Sequence, residues 1–197
     1  MVGRYSLLFL LALSNFVLNA QTFTYDVYLF GDKIGTSTIT RKVDSTTVQY
    51  SLRSHSVAEV FFFKRVSQQD YDVVYRNGKL DKVTAYNKVD DKTTSVKVIF
   101  DGTRYCVDKN KVCYTFMEPV AYSSLCLYFI EPQPNQRIFS EREAEFYNIK
   151  KNDDGAFTYT LSDGVKNTFY YTNGMVTKVE LKKSMITVEL KLVNRSN

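Results

Sequence analysis

The chain has 197 residues, 15% of them aromatic (15 Tyr, 14 Phe, no Trp), and a formal charge of +5. Its cations are scattered as pairs (Lys64-Arg65, Lys150-Lys151, Lys182-Lys183) rather than gathered into the basic patch that a nucleic-acid surface needs, so nucleic acid is not an expected partner. A single His and no Cys-x-x-Cys pair leave no donor set for zinc, and no metal or cofactor is expected.

The first twenty residues, MVGRYSLLFLLALSNFVLNA, place Arg4 ahead of an apolar run from Tyr5 to Leu18 and end on Ala20. A charged lead, a short apolar core and a small residue at the cut form a secretory signal, and the run is shorter than the roughly 20 residues of a membrane span. Cleavage is expected between Ala20 and Gln21. The remaining 21–197 then form a single antiparallel β domain, periplasmic or envelope-associated or extracellular, with no further apolar span.

Beyond Gln21 apolar and polar residues alternate with period two. Phe23, Tyr25, Val27 and Leu29 alternate with Thr24, Asp26 and Tyr28; the same pattern returns at Val96–Phe100, Phe157–Leu161 and Ile186–Leu192. This is the signature of antiparallel strands with one buried and one wet face. Asn77-Gly78, Asp101-Gly102, Asp154-Gly155, Asp163-Gly164 and Asn173-Gly174 tolerate positive φ and close tight turns. The predicted strands are 22–30, 34–43, 46–54, 58–75, 79–88, 93–100, 103–108, 111–117, 137–141, 143–151, 156–162, 166–172, 175–182 and 185–193, with 58–75 readable either as two strands or as a bent one. A meander this long must curl to protect its edges, so the expected fold is all-β: a curled antiparallel meander, barrel or half-barrel.

Residues 119–129 break the alternation. Pro119 suits a first helical turn, Val120, Ser124, Leu127 and Tyr128 would share a face, and Pro132 stops the segment. One short helix is predicted there, packed over one end of the sheet.

Candidate sites are few. Cys106 and Cys113 flank a hairpin centred on Lys109-Asn110 and would face each other, so a disulfide is a candidate in an oxidising compartment; the alternative is two reduced strand cysteines. Cys126 reads as a small buried hydrophobe. His55 has no nucleophile motif beside it and reads as a surface or satisfied core residue. Glu131, Glu141, Glu143 and Glu145 are a group that could supply a glycosidase pair, with a wet strand face as the commoner alternative. Val60-Phe61-Phe62-Phe63 is apolar on both faces, and Phe61, Phe63 and Tyr128 could line a pocket. A transmembrane barrel is disfavoured by uniformly short loops.

Three patches complete the reading: Tyr25-Asp-Val-Tyr-Leu-Phe-Gly-Asp-Lys-Ile-Gly35, then Leu127-Tyr-Phe-Ile-Glu-Pro132 with Phe139-Ser-Glu-Arg142, then Asn167-Thr-Phe-Tyr-Tyr-Thr-Asn-Gly174. In this order they resemble an exported family of unknown function from Bacteroidota, with a Y-D-V…G-x-x-I-G opening, an L-Y-F-x-E-P…S-E core and a Y-x-Y-x-N-G close. The resemblance implies a curled antiparallel sheet and carries over no activity and no functional residues. Arg142-Glu143-Ala144 departs from it where members usually have a Gly. For Glu131, Ser140 and Glu141 the expected role is structural, a carboxylate accepting backbone N–H groups at the helix–strand junction, with a site role second. The expected function is non-catalytic binding of a lipid or other apolar envelope component in the concavity. The alternatives are assembly with another envelope protein through a sheet edge, and a hydrolase using Glu131, Glu141 and Glu143.

Overall fold

A computed structural model describes residues 19–60 and 63–196. The expected signal up to residue 18 and Phe61 lie outside the described residues, and the side chain of Phe63 lies outside them too. The fold is all-β: 70% strand, 3% helical, built on a large antiparallel sheet of 13 strands that does not close.

The strands are β1 (Asn19–Leu29), β2 (Asp32–Asp44), β3 (Thr47–Val60), β4 (Phe63–Arg76), β5 (Lys79–Val89), β6 (Lys92–Phe100), β7 (Tyr105–Lys109), β8 (Val112–Phe116), β9 (Arg137–Ser140), β10 (Glu145–Asn148), β11 (Lys150–Lys151), β12 (Phe157–Thr160), β13 (Lys166–Thr172), β14 (Met175–Lys183) and β15 (Ile186–Ser196). The main sheet runs β11-β12-β13-β14-β15-β1-β2-β3-β4-β5-β6-β7-β8, with β9 and β10 as a separate hairpin. Consecutive hairpins account for every neighbour but one. The exception is β1, which joins β15 along Val27↔Leu190 and Leu29↔Val188, so the first and last described strands meet near the middle of the sheet.

Alternation fixes which side is buried. Phe23, Tyr25 and Val27 point inward from β1, where the neighbouring Ile39 and Leu52 also lie buried. The segment between β8 and β11 fills part of the concavity as a plug. Phe129 stacks on Phe23 at 4.9 Å, Tyr128 meets Phe169 edge-on at 5.6 Å, and Phe139 lies 5.7 Å from Phe116. The plug therefore bonds both halves of the sheet into one apolar cluster, and each such aromatic pair adds roughly 0.5–1.5 kcal/mol beyond burial.

The 58–75 segment, readable as two strands or a bent one, is divided between two strands, with Val60 paired to Phe63 across the reversal. The inward positions change phase there, from even (Tyr50, Leu52) to odd (Tyr71, Val73, Tyr75), without any Gly or Asn to announce it. The predicted helix 119–129 shrinks to one 3₁₀ turn, Ser124–Tyr128. The residues ahead of it bond to neighbours instead of to themselves: the Leu80 N–H donates to the Val120 carbonyl at 2.9 Å, and Ser123 makes an extended parallel bridge to Phe139. The predicted strands 137–141 and 143–151 shorten to β9, β10 and the two-residue β11, because Glu141–Ala144 form the turn of the plug hairpin.

No helix among the described residues is long and apolar enough to cross a membrane. Ala20 and Gln21, at the expected cut, pair with Lys42 and Arg41, so cleavage would leave Gln21 as the first strand residue of β1.

Candidate functional site

The concavity is not filled by the plug alone. A partly open cavity of about 660 Å³ remains beside it. Its cause is legible in the register. Inward positions from β2 to β4 form successive rows, and the buried row Ile39, Leu52, Tyr71 is large and apolar. The next two rows are Ser37↔Ser54↔Gln69 and Gly35↔Ser56↔Ser67. Apart from Gln69 the side chains there are Gly and Ser, which leave the space that Leu or Phe would occupy.

The cavity has two unlike walls. The β2–β4 wall is rich in hydroxyls from Ser37, Ser54, Ser56 and Ser67. The wall that continues from it through β1 to β13–β15 is aliphatic and aromatic: Val27, Leu29, Phe169, Leu181, Val188 and Leu190. Ser37 Oγ is buried and has no hydrogen-bond partner. The plug contributes Ser124, Leu125, Tyr128, Ser140 and Arg142 as a third side. Phe30 and Ile186 stand at the lip, 68% and 51% exposed. Phe30 adopts φ +52°, a left-handed conformation that a bulky residue rarely accepts.

The four glutamates weighed as a glycosidase pair or a wet strand face do not gather in the cavity. Glu131 is exposed and reaches Lys151 at 4.0 Å. Glu141 is fully buried, accepting the Leu125 N–H at 3.1 Å and the Ser124 hydroxyl. Burial pushes its carboxyl up, while the Leu125 N–H and neighbouring hydroxyls oppose that shift. Glu143 accepts Tyr147 Oη at 2.7 Å and the Ser162 hydroxyl, and Glu145 is exposed. None of the four lines the cavity. The Glu141 carboxyl holds the 3₁₀ turn against the plug hairpin, and Ser140 Oγ accepts the Glu143 N–H at 3.4 Å. Glu131 takes no part in that junction.

The cysteines are also placed differently. The β7–β8 hairpin is centred on Asn110-Lys111, both at positive φ, rather than on Lys109-Asn110. Cys106 therefore faces Thr115 and Cys113 faces Asp108. The two are diagonal neighbours, roughly 7–8 Å apart in such a ladder and beyond ordinary disulfide reach. Cys106 and Cys113 are exposed free thiols, and Cys126 is a buried one. Cys126 lies against Ser123 and its thiol is pushed up by burial. His55 is exposed on the outer face of β3. No group of three or more metal-ligating side chains occurs among the described residues.

Of the three predicted lining residues, Tyr128 lines the cavity; Phe61 and the Phe63 side chain are not among those described. Sequence reasoning missed Arg142, the small residues of β2–β4 and the lip at Phe30. The even positions of β3 did carry a signal: Tyr50, Leu52, Ser54, Ser56, Ala58 shrink toward one end. Arg142 carried none, because its place depends on how the plug folds back. Its guanidinium donates to Asp163 at 2.5 Å. Burial raises the Asp163 carboxyl, but the Val165 N–H and Arg142 outweigh it and hold the group below the usual carboxylate range.

The family named Domain of unknown function (DUF6134) matches residues 25–193. The chain belongs to this family. Every residue lining the cavity falls inside the matched span. No curated protein and no solved structure matches the chain.

Proposed function

We propose that the chain is a non-catalytic binding protein that holds an apolar or amphiphilic small molecule in the concavity of its curled sheet. It works after export, as one domain beginning at Gln21, in the periplasm or elsewhere in the envelope. The observation that carries this reading is the cavity of about 660 Å³ between an aliphatic wall and a hydroxyl wall. A volume of that size suits a drug- or lipid-sized ligand. The carboxylates that a hydrolase would need are engaged elsewhere.

Titration with the neutral fluorescent probe N-phenyl-1-naphthylamine tests the binding. A single saturable site is expected, and Ser56→Phe should abolish it. Ser56 faces Gly35 on one side and Ser67 on the other, so the added ring has room inside the cavity. No saturable binding, or equal binding by a folded Ser56→Phe protein, would refute the reading. Mass spectrometry of the protein from fractionated cells tests export: Gln21 at the N-terminus in the envelope fraction is expected, and an intact Met1 in the cytosol contradicts it.

A second reading, assembly through a sheet edge, is favoured by one observation. The edge strand β8 is uncharged, and Val112 and the adjacent Met117 are 66% and 73% exposed. The other edge, β11, is two lysines and resists pairing. Replacing Thr115 by Pro should disrupt such assembly and leave probe binding intact.

A further inference from the structure

The lining of the cavity is not neutral. Three cations, Lys64, Arg65 and Arg142, and a single acid, Asp90, contribute to it. Lys64 and Arg65 are well exposed, at 63% and 68% of their side chains, so water screens them. Arg142 is more enclosed, at 36%, and is held by the turn of the plug hairpin. A guanidinium carries five N–H donors. Among the described residues only Nη2 of Arg142 is hydrogen-bonded, to Asp163. Asp163 is in turn shared with Lys183 at 3.6 Å, so this acid does not fully neutralise the arginine. A second donor waits on the hydroxyl wall: Ser37 is 1% exposed and its Oγ has no partner. An unpaired buried hydroxyl is costly, and a ligand acceptor would offset that cost.

Resting on the binding function above, we propose that the ligand is an anionic amphiphile, a carboxylate- or phosphate-headed molecule with an extended apolar portion. Its oxyanion takes the free guanidinium donors of Arg142 on the plug side. Its apolar portion lies on the wall of Leu181, Val188, Leu190 and Val27. The hydroxyl wall accommodates the polar part of the molecule and keeps the cavity from serving as a purely greasy slot. Binding is reversible and no covalent step is involved.

Displacement of N-phenyl-1-naphthylamine by matched competitors decides the matter. The competitors are dodecanoate, dodecyl phosphate, 1-dodecanol and inorganic phosphate alone. Both anionic amphiphiles should displace the probe at concentrations about tenfold or more below the alcohol, the difference a charge-assisted hydrogen bond supplies. Arg142→Gln should remove that preference, bringing the anionic amphiphiles to the level of the alcohol in the same protein. Arg142→Lys should keep part of it, and Asp163→Asn should enlarge it by releasing the arginine from its internal partner. Equal displacement by dodecanoate and dodecanol overturns the proposal, as does an unchanged preference in folded Arg142→Gln protein. Displacement by inorganic phosphate alone also overturns it, since the site would then take a free anion. These failures leave the cavity's binding role standing. That role fails separately, when the probe itself does not bind.

Discussion

Replacing Gly35 by Ala is the sharpest perturbation of the cavity wall. Gly35 has an ordinary backbone conformation, so left-handed strain plays no part. The glycine is required by close approach: a Cβ built on it would sit 2.1 Å from the His55 carbonyl oxygen, 2.6 Å from Ser56 Cα and 2.8 Å from Ser56 Cβ. Two of these atoms belong to the backbone of β3 and cannot swing aside like a side-chain tip. The strands must separate or slip, against a β2–β3 ladder that pairs from Gly35↔Ser56 to Asp44↔Thr47. Overpacking a tight site costs about 1–3 kcal/mol, and a backbone clash belongs at the upper end. For a chain of this size each kcal/mol lowers Tm by about 2–4 °C, so a fall of about 6–12 °C is expected. Thermal denaturation followed by circular dichroism measures it, with Thr38→Ala on the outer face of β2 as the control. A fall of less than about 2 °C would show that β2 and β3 do not approach in this register, and the rows of small residues that create the cavity would lose their basis.

Three further outcomes follow from the same geometry. Phe30→Asn should relieve left-handed strain at φ +52°, raising Tm by about 2–4 °C, while weakening probe binding severalfold through loss of the apolar lip; a simultaneous gain in both would contradict a role for Phe30 at the mouth. Glu141→Gln should gain stability over the parent protein as pH rises. Burial raises the carboxyl of Glu141, so the stability tied to its neutral form is complete below the ordinary carboxylate range and is lost as pH climbs through the raised value. The Tm advantage of the variant should thus be larger at pH 7.5 than at pH 4, and the reverse order would place Glu141 in a charge-stabilising environment. Titration with a thiol reagent should find Cys106 and Cys113 reacting fast in the native protein and Cys126 only after unfolding; absence of fast thiols would restore the cross-strand disulfide.

Most of the sheet could be read from residues because its physics is local. Phe23, Tyr25, Val27 and Leu29 alternate in the sequence and are inward in the fold. Asn77-Gly78 and Asn173-Gly174 sit at two-residue turns with positive φ at both positions, as their chemistry requires. Where the turn chemistry is ambiguous the reading slipped. Lys111 at φ +70° carries no left-handed preference, so residue chemistry favours a turn centred on Lys109-Asn110, one residue before the actual centre, and a disulfide and two free thiols stay equally open in the sequence. The stretch 119–129 has helical spacing, yet Val120 and Ser123 are claimed by Leu80 and Phe139, which lie far away in sequence. The site suffered most from this kind of distance. Arg142 reaches the cavity only because the plug hairpin folds back between the sheet's halves, and no spacing rule encodes that return. Ala144 shows the same limit: at φ +54° it occupies the kind of left-handed turn position that favours Gly, and its own chemistry does not announce that turn.

A crystal structure of the protein grown with dodecanoate tests the central claim most directly. The account predicts one ligand between the Ser54–Ser56 wall and the Val188–Leu190 wall, its carboxylate within hydrogen-bond distance of Arg142. A closed barrel with a solid interior, or a ligand held only on the outer face of the sheet, would contradict it.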